Sequence, residues 1–348
     1  MQNQATLQEN IKIGANLALT GNLAFYGTAE KQGLELAIQD VNENEGINGR
    51  NLVILAEDNQ GDSVAATTAM HKLLEVDNVD VVFSAFTHIA QPISPIAQEA
   101  GKILIYQSTV STMSKENSFV FRDYFDIVDQ GKVLAEHVTL QNHKTLAYLG
   151  ETSEACEQFH DSFLSNKKLK FISDQTVDPS EQDFRTYLLK AKKTKSDAFV
   201  FCVWRSEDKV MPQFEELGLI DTPTYHAVAP FLPSANSANE QFSKNKAIST
   251  WYGFVEGKSN PQMEQFAKRY NEVYGEELIP DALFAYDGIM FLAHAFKKCN
   301  GTNSECVANI LQTESYEGLA EPITFGEDRT SNRKTLLIQY GEQGWEEI

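Results

Sequence analysis

The sequence lacks the features that membrane and nucleic-acid-binding proteins need. No apolar run reaches the roughly 18 residues that span a bilayer. Residues 1–10 hold no Lys or Arg and no apolar stretch, unlike a secretory signal peptide, so the chain is either cytoplasmic or a mature segment with an added Met. The formal net charge of −20 repels phosphate backbones and anionic lipid. We therefore expect no nucleic-acid partner and no membrane insertion.

Motifs of catalysis and cofactor binding are also missing. There is no Gly-x-Ser-x-Gly, no Walker loop and no Gly-x-Gly-x-x-Gly after the first predicted strand. None of the seven histidines shows metal spacing, and His88 has no acid or thiol partner in sequence. The acidic run 57–62 lacks the alternating ligands of a calcium loop. We predict that the chain is not an enzyme and has no cofactor and no metal site.

Cysteines are few, and their spacing does not suggest zinc. Cys299 and Cys306 bracket the polar segment 300–305, which is predicted to be a turn that a disulfide could close in an oxidising compartment. The alternative there is two free thiols. Cys156 and Cys202 lie far apart in sequence, and we expect both to be free.

What the sequence does contain is a regular alternation of strands and helices. Its 348 residues fit two domains of roughly 150 residues each. The predicted strands are 11–17, 52–56, 79–83, 103–106, 145–149, 171–176, 198–203, 224–228, 322–325 and 334–340. Segments whose apolar residues repeat with the period of a helix lie between most of these strands, which predicts an α/β fold with parallel sheets. We expect the last two strands to return to the two sheets already built.

Candidate ligand-binding residues follow these strands, because ligands of open α/β sheets bind at the carboxyl ends of the strands. In the first half the candidates are Tyr26, Phe86, Thr87, Gln107, Ser108 and Thr109. In the second half they are Trp204 and Pro230. Hydroxyls beside helix N-termini form a cradle for a carboxylate, although Ser and Thr are also ordinary turn residues. For Thr87 and Ser108 together, we expect ligand contact.

Several short motifs carry a resemblance to a known family. They are Leu19-Thr-Gly21, Tyr26-Gly27, Asp40-Val-Asn42, Gly46-Ile-Asn-Gly-Arg50, Gln91-Pro92, Asp129-Gln-Gly131, Ala285-Tyr-Asp287 and Glu321-Pro-Ile-Thr-Phe325. Their order and spacing resemble the leucine/isoleucine/valine-binding protein family, type I periplasmic binding proteins that feed ABC importers. The similarity covers nearly the whole chain, and no single motif decides it.

The resemblance implies two Rossmann-like lobes joined by three crossovers. Residues 10–126 plus 256–329 would form the N-terminal lobe, and 127–255 plus 330–348 the C-terminal lobe. The lobes of this family close on the ligand by hinge motion. The resemblance also implies a monomer in the periplasm or outside the cell, with the membrane permease of an ABC importer as its partner.

The resemblance also assigns roles to individual residues. Thr87 falls where the family binds the ligand carboxylate, and Gln107 to Thr109 fall where a backbone carbonyl and a hydroxyl hold the amino-acid head group. Trp204 falls where a second-lobe Tyr covers the ligand, and Tyr26 matches the first-lobe aromatic residue.

Two departures from the family pattern bear on the ligand. Amino-acid binders carry an acid near 228–230 that pairs with the ligand ammonium, whereas this chain has Val-Ala-Pro there. The second-lobe Tyr expected near 153–155 is also missing. Because an unpaired ammonium in a closed cleft is costly, either Glu154 or Asp126 replaces the acid, or the ligand is not a standard branched-chain amino acid. Amides and aromatic carboxylates are the other ligand classes.

Three functions are compatible with these observations. The main hypothesis is an extracytoplasmic solute-binding protein that captures an amino acid or a related amide or carboxylate and delivers it to an ABC importer. A ligand-sensing receptor or regulator domain has the same fold and would be favoured by a partner-facing patch. An enzyme on a doubly wound fold would require a close acid–base or nucleophile–base pair.

Overall fold

The chain forms two compact units, which we describe separately. The computed structural model describes residues 9–203, 206–227, 238–252, 260–342 and 344–348. Unit 1 comprises Met1–Phe125 and Glu256–Arg333, and unit 2 comprises Asp126–Val255 and Lys334–Ile348. The chain therefore passes between the units three times. The largest difference from the predicted boundaries is at the third crossover, which falls after residue 333 rather than after 329.

Unit 1 is built on a five-stranded parallel sheet. Its strands are β1 (Ile11–Leu17), β2 (Leu52–Asp58), β3 (Val81–Ala85), β4 (Ile103–Gln107) and β5 (Val120–Arg122), in the order β2-β1-β3-β4-β5. Its helices are α1 (Ala24–Glu43), α2 (Ser63–His71, followed by the π-helical turn Lys72–Val76), α3 (Thr87–Glu99) and α4 (Thr112–Glu116).

The packing of unit 1 agrees with the apolar character of its strands. Strands β3 and β4 are buried along their whole length, as expected for parallel strands covered on both faces. Met70, Ile89 and Ile93 from α2 and α3 pack against Val82 and Leu104 of the sheet.

The second segment of unit 1 is mainly helical. In the order of the whole chain its elements are α10 (Pro261–Tyr274), α11 (Pro280–Cys299), α12 (Ser304–Thr313), β11 (Tyr316–Glu317) and β12 (Pro322–Ile323). Helix α11 approaches α1 so closely that a Cβ atom at Gly33 would lie 2.1 Å from the carbonyl oxygen of Ala282. Only glycine therefore permits this contact without displacement of the backbone.

Unit 2 is built on a seven-stranded mixed sheet. Its strands are β6 (Thr145–Glu151), β7 (Lys170–Val177), β8 (Ala198–Cys202), β9 (Thr224–His226), β10 (Ile248–Trp251), β13 (Leu336–Gly341) and β14 (Gly344–Glu347), in the order β14-β13-β10-β9-β8-β6-β7. Its helices are α5 (Ile127–Leu140), α6 (Glu154–Leu164), α7 (Arg185–Thr194), α8 (Glu207–Glu216) and α9 (Asn239–Asn245). Strand β13 runs antiparallel to both of its neighbours, and the other pairs are parallel.

Alternate residues of the central strands supply two separate apolar clusters in unit 2. Phe199 and Phe201 of β8 belong to one cluster, and Val200 between them belongs to the other. Strand β6 divides in the same way, with Leu149 in the first cluster and Tyr148 in the second. Because side chains alternate across a strand, this division shows that helices cover both faces of the sheet.

Two sequence predictions about the tail are wrong in detail. Residues 322–325 were expected in a main sheet, but the strand here is only Pro322–Ile323, which pairs with β11 in a separate two-stranded ribbon. Residues 300–305 were expected to be a turn, but α12 begins at Ser304 because the side chain of Asn303 caps it. The predicted strand 334–340 is confirmed as β13.

Each unit contains one disulfide. In unit 1, Cys299 at the end of α11 is bonded to Cys306 in α12. In unit 2, Cys156 of α6 is bonded to Cys202 at the end of β8, so the expectation of two free thiols is wrong. Strands β6 and β8 are neighbours, and the helix that follows β6 therefore begins beside the end of β8. The separation of 46 residues conceals this proximity in the sequence.

Within the described part of the chain, no helix combines the length and apolarity needed to cross a membrane.

Candidate functional site

The loop that follows β3 in unit 1 is held in an uncommon backbone conformation. Phe86 has a φ of 65°, in the left-handed region that bulky residues rarely adopt. Its N–H donates to the carbonyl oxygen of Gln107 at 2.8 Å, which joins the end of β3 to the end of β4. Such strained residues concentrate at ligand-binding sites. Helix α3 begins at the next residue, Thr87.

Thr87 and Ser108, both predicted to contact the ligand, lie close together at the start of α3. Thr87 Oγ1 and Ser108 Oγ lie 2.7 Å apart, within hydrogen-bond distance. Ser108 is buried and Thr87 half-buried, and the N–H of Val110 also donates to Ser108 Oγ at 3.2 Å. The first turn of α3 adds backbone N–H groups and the positive end of the helix dipole. Hydroxyls and amides in this arrangement can bind a carboxylate.

A buried arginine supports the loop that follows β4. Arg122 is fully buried and donates from Nη1 to the carbonyl oxygens of Ser108 at 3.1 Å and Phe125 at 2.7 Å. Thr109, also predicted as a ligand-binding residue, is nine-tenths buried in the same loop. Gln107 is buried as well, and its Nε2 donates to the carbonyl oxygen of Asp281 at 3.2 Å. No pattern in the sequence indicated that Arg122 would hold this loop.

Phe86, which directly precedes Thr87, belongs to a small group of aromatic side chains. Tyr26 and Phe86 make an edge-to-face contact with ring centroids 5.8 Å apart, and Phe25 packs on Tyr26 at 5.4 Å. These rings offer apolar surface for the body of a ligand. His88 is exposed, with Nε2 3.1 Å from the carbonyl oxygen of Gly61, which is a hydrogen bond and not a catalytic arrangement.

Two acids that the sequence reasoning missed lie buried in unit 1. Glu30 of α1 and Asp281 of α11 are 1% and 5% exposed. Burial raises the pKa of Asp281 to about 6, although the hydroxyl of Tyr124 donates to its Oδ1 at 2.9 Å. Burial, and next the charge of Asp281, raise the pKa of Glu30 well above its usual value. A helical acid usually faces solvent, so the sequence contained no signal for either group.

Of the four ligand-binding residues predicted in unit 2, two lie among the described residues and two lie outside them. Asp126 caps α5, where its Oδ1 accepts from the N–H of Val128 at 2.8 Å. Glu154 is exposed at the start of α6 and accepts from Gln158 Nε2 at 3.1 Å. Trp204 and Pro230 lie outside the described residues, as do Val228 and Ala229.

A further acid in unit 2 was not predicted. Glu207, the first residue of α8, is only 2% exposed, and its Oε2 has no hydrogen-bond partner among the described residues. Burial raises its pKa to about 8, and the charges of Glu151 and Asp208 act in the same direction. An acid just after a strand and a serine resembles an ordinary solvent-facing helix start, which is why the sequence did not single it out.

Metal binding has no support in the described ranges. No group of three or more His, Cys, Asp or Glu side chains in them has the geometry to hold an ion.

Comparison with known proteins gives matches along nearly the whole chain. A family model described as periplasmic binding protein matches residues 10–344. Leu/Ile/Val-binding protein homolog 3 of Brucella melitensis is 24% identical over 220 residues, which cover 60% of this chain and 59% of that protein.

Solved structures agree in fold. The branched-chain amino acid transporter substrate-binding protein LivJ of Streptococcus pneumoniae, in complex with isoleucine, has a TM-score of 0.87 and 23% identity, and the match covers 97% of this chain and 99% of that chain. An ABC transporter solute-binding protein of Rhodopseudomonas palustris, in complex with 3,4-dihydroxybenzoic acid, has a TM-score of 0.83 and 18% identity over 97% of this chain and 96% of that chain. The predicted fold class is confirmed.

Proposed function

This chain belongs to the periplasmic binding protein family, and we propose that it captures a small polar organic molecule and delivers it to the permease of an ABC importer. Family membership implies a location outside the cytoplasm, which we refine to the periplasm or the cell exterior. We further propose that the protein acts as a monomer.

The hydrogen-bonded pair of Thr87 and Ser108 supports this proposal most directly. Both hydroxyls lie at the carboxyl ends of adjacent parallel strands, where open α/β sheets bind ligands. Together with the first amides of α3 they suit a carboxylate group. Isoleucine and 3,4-dihydroxybenzoic acid, the ligands of the two similar structures, share that group. We therefore propose that the ligand carries a carboxylate.

We propose that the bound molecule leaves chemically unchanged. Thr87 Oγ1 is within hydrogen-bond distance of another hydroxyl, Ser108 Oγ, and among the described residues no histidine or carboxylate lies within hydrogen-bond distance to activate it as a nucleophile. The neighbouring rings of Tyr26 and Phe86 suit retention of an apolar ligand body.

The carboxylate assignment is tested with Thr87→Val, which removes one hydroxyl and keeps the volume. Titration calorimetry would compare L-isoleucine, its neutral amide and 3,4-dihydroxybenzoate. We expect the variant to bind the two acids about 10- to 100-fold more weakly and the amide nearly as well as before, because a hydrogen bond to a charged group contributes about 1.5–3 kcal/mol.

Thr68→Val is the matched control, since Thr68 is an exposed residue of α2 whose hydroxyl bonds only within its own helix. Its affinities should equal those of the unaltered protein. Equal losses for acids and amide in Thr87→Val would contradict the carboxylate cradle. Failure of the unaltered protein to bind any of the three would contradict the proposed ligand class.

A further inference from the structure

A pocket of about 470 Å³ lies within unit 2, near the amino ends of β6, β9 and β10. Tyr225 of β9 and Ile248 of β10 line it, together with His143, which precedes β6. His137 in the last turn of α5 and Lys246 at the end of α9 complete the part of the wall considered below. Its volume is that of a small-molecule site. The pocket lies at the opposite end of the sheet from the carboxyl ends of the parallel strands, where open α/β sheets bind their ligands.

Tyr225 offers this pocket a buried hydroxyl. The residue is 1% exposed, and its Oη has no hydrogen-bond partner among the described residues. Burial raises the pKa of Tyr225 to about 12, so the hydroxyl stays protonated and is able to donate. A buried hydroxyl without a partner is costly, and such groups persist where a ligand or an ordered water completes the hydrogen bond.

Two histidine rings contact the ring of Tyr225. The ring centroids of His137 and His143 lie 6.2 and 5.9 Å from that of Tyr225, both in edge-to-face orientation. Nε2 of His137 is 3.4 Å from Nε2 of Gln141. In the part of the chain that the structure describes, Nδ1 of His137 and both ring nitrogens of His143 have no hydrogen-bond partner. Three neighbouring side chains therefore bring unbonded polar atoms to one pocket.

The charges of the lining residues favour a negative ligand. None of the lining residues is Asp or Glu, and no described ion pair engages the ammonium group of Lys246. His137 and Lys246 both stand at carboxyl ends of helices, where the helix dipole favours positive charge. Burial, and next the charge of His143, lower the pKa of His137. An anion between the two rings would offset both effects and favour their protonated forms.

Two negative groups bear on these histidines. Asp197 lies close enough to His143 for their charges to interact, but its Oδ2 already accepts from the N–H groups of Lys144 and Thr145 at 2.9 and 2.8 Å. Ile348, the last residue of the sequence, also lines the pocket, and its terminal carboxylate forms no ion pair with the described residues. The chain therefore offsets only part of the positive charge that protonated histidines bring.

We propose that this pocket binds a small oxyanion of the sulfate or phosphate type, and that binding draws protons onto His137 and His143. The anion would accept from the Tyr225 hydroxyl, from both imidazoles and from the ammonium group of Lys246. Donors on four separate segments suit an anion that has several acceptor oxygens, and charge-assisted hydrogen bonds of this kind are strong. The site lies in unit 2 alone and does not depend on the carboxylate site proposed in unit 1.

The first test measures sulfate binding by calorimetry as a function of pH. Sulfate is suitable because its own charge stays constant where histidine titrates. An anion favours protonated imidazole, so its affinity should fall as the pH rises. Each proton taken up changes the affinity by up to about 10-fold per pH unit, and we expect binding at least about 10-fold tighter at about pH 5.5 than at about pH 8.

Two variants locate the bound anion. Tyr225→Phe keeps the ring and removes the unbonded hydroxyl, and His143→Gln removes one titrating group. Each should bind sulfate about 10-fold more weakly at about pH 5.5, because each loses a hydrogen bond to a charged group. Only His143→Gln should also show a smaller pH dependence. His71→Gln is the matched control, since His71 is an exposed histidine of α2 in unit 1, and it should bind sulfate as the unaltered protein does.

A spectroscopic titration needs no variant. In NMR spectra, sulfate should shift the imidazole signals of His137 and His143 and raise the pKa of both, while the signals of His71 stay unchanged. The free ion and an organic phosphate are distinguished by comparing inorganic phosphate with glycerol 3-phosphate. Tighter binding of the ester would assign the ligand to phosphate esters, the reverse order would assign it to the free ion, and both results support an oxyanion site.

The outcomes separate this inference from the proposed function. Sulfate binding that weakens in Tyr225→Phe and His143→Gln, with shifts at His137 and His143, supports it. Binding that neither substitution affects, or that leaves both histidine signals unchanged, would place the anion elsewhere and overturn it. The same holds if neither sulfate nor phosphate binds, or if the affinity does not change with pH. None of these results touches the carboxylate site, which Thr87→Val tests separately. If the variants do not fold, the NMR titration decides.

Discussion

At the residue scale, the surroundings of Glu30 oppose the charge of its carboxyl group. Neither oxygen of its carboxyl group has a hydrogen-bond partner among the described residues, and a second buried acid, Asp281, lies nearby. Burial and this charge raise the pKa of Glu30 in the folded protein above the unfolded value. The folded state therefore binds more protons than the unfolded state above about pH 4, and its stability falls as the pH rises.

Glu30→Gln should remove part of this pH dependence. We expect the variant and the unaltered protein to have similar free energies of unfolding near pH 4, and the variant to be more stable by about 1 kcal/mol or more near pH 8. Denaturant unfolding at several pH values measures the difference. Glu43→Gln, at the exposed end of the same helix, should follow the unaltered protein. Parallel curves for Glu30→Gln and the unaltered protein would disprove the assignment.

The sequence could indicate candidate ligand-binding residues only at the ends of predicted strands. The alternation of elements locates the ends of β3 and β4, and the carboxyl-end rule then selects Thr87 and Ser108. Glu30 and Glu207 could not be found in this way, because their burial arises from packing against elements distant in sequence. From the sequence alone, an acid on a helix is expected to face solvent, because the elements that cover it are not known.

At the element scale, a buried ion cluster fastens two segments of unit 1 where the chain leaves it. Arg333 Nε and Nη2 donate to Asp123 at 2.8 and 3.0 Å, and Nη1 donates to Asp287 at 3.2 Å. The guanidinium group also lies 4.3 Å from the ring centroid of Phe284. Asp123 follows β5 near the first crossover, and Arg333 is the last residue before the third. The cluster therefore fixes both chain exits relative to α11.

Arg333→Met should destabilise unit 1 by about 3–5 kcal/mol, because it leaves the carboxyl groups of Asp123 and Asp287 buried without their cation. Thermal and denaturant unfolding would measure the loss. Arg185 also pairs with two acids, but its side chain is exposed. Arg185→Met should therefore lower the free energy of unfolding much less. A loss in Arg333→Met no larger than the loss in Arg185→Met would show that burial does not make the Arg333 cluster more stabilising than an exposed ion pair.

Element prediction succeeded where apolar periodicity was long and failed where elements were short. Strands such as β4 and β8 consist almost entirely of buried apolar residues, which marks them clearly. The three-residue β5, the five-residue α4 and the two-residue strands of the ribbon carry too few residues to show a period. The cap at Asn303 was hidden because an asparagine in a polar segment also suits a turn.

At the scale of the whole molecule, the chain crosses between the units three times, so neither unit is a single continuous segment. The sequence resemblance implied this organisation, but periodicity alone did not, because it describes local elements and not their assignment to a sheet. The Cys156–Cys202 pair illustrates the same limit, since only the adjacency of β6 and β8 brings the two residues together.

The two disulfides should differ in how much they stabilise their units, because they close loops of different length. Cys156 and Cys202 are separated by 46 residues, and Cys299 and Cys306 by 7. The chain-entropy relation gives about 4 kcal/mol for the longer loop and about 2.5 kcal/mol for the shorter one. We therefore expect Cys156→Ala with Cys202→Ala to lower the melting temperature of unit 2 more than Cys299→Ala with Cys306→Ala lowers that of unit 1.

Scanning calorimetry of both double variants measures these shifts, and it resolves two transitions if the units unfold separately. A thiol assay on denatured, unreduced protein checks the premise and should find no free thiol, because all four cysteines are paired. Two reactive thiols at Cys156 and Cys202 would show that this bridge does not form. If the bridge forms but its removal leaves the unit 2 transition unchanged, the loop it closes is already constrained in the unfolded chain.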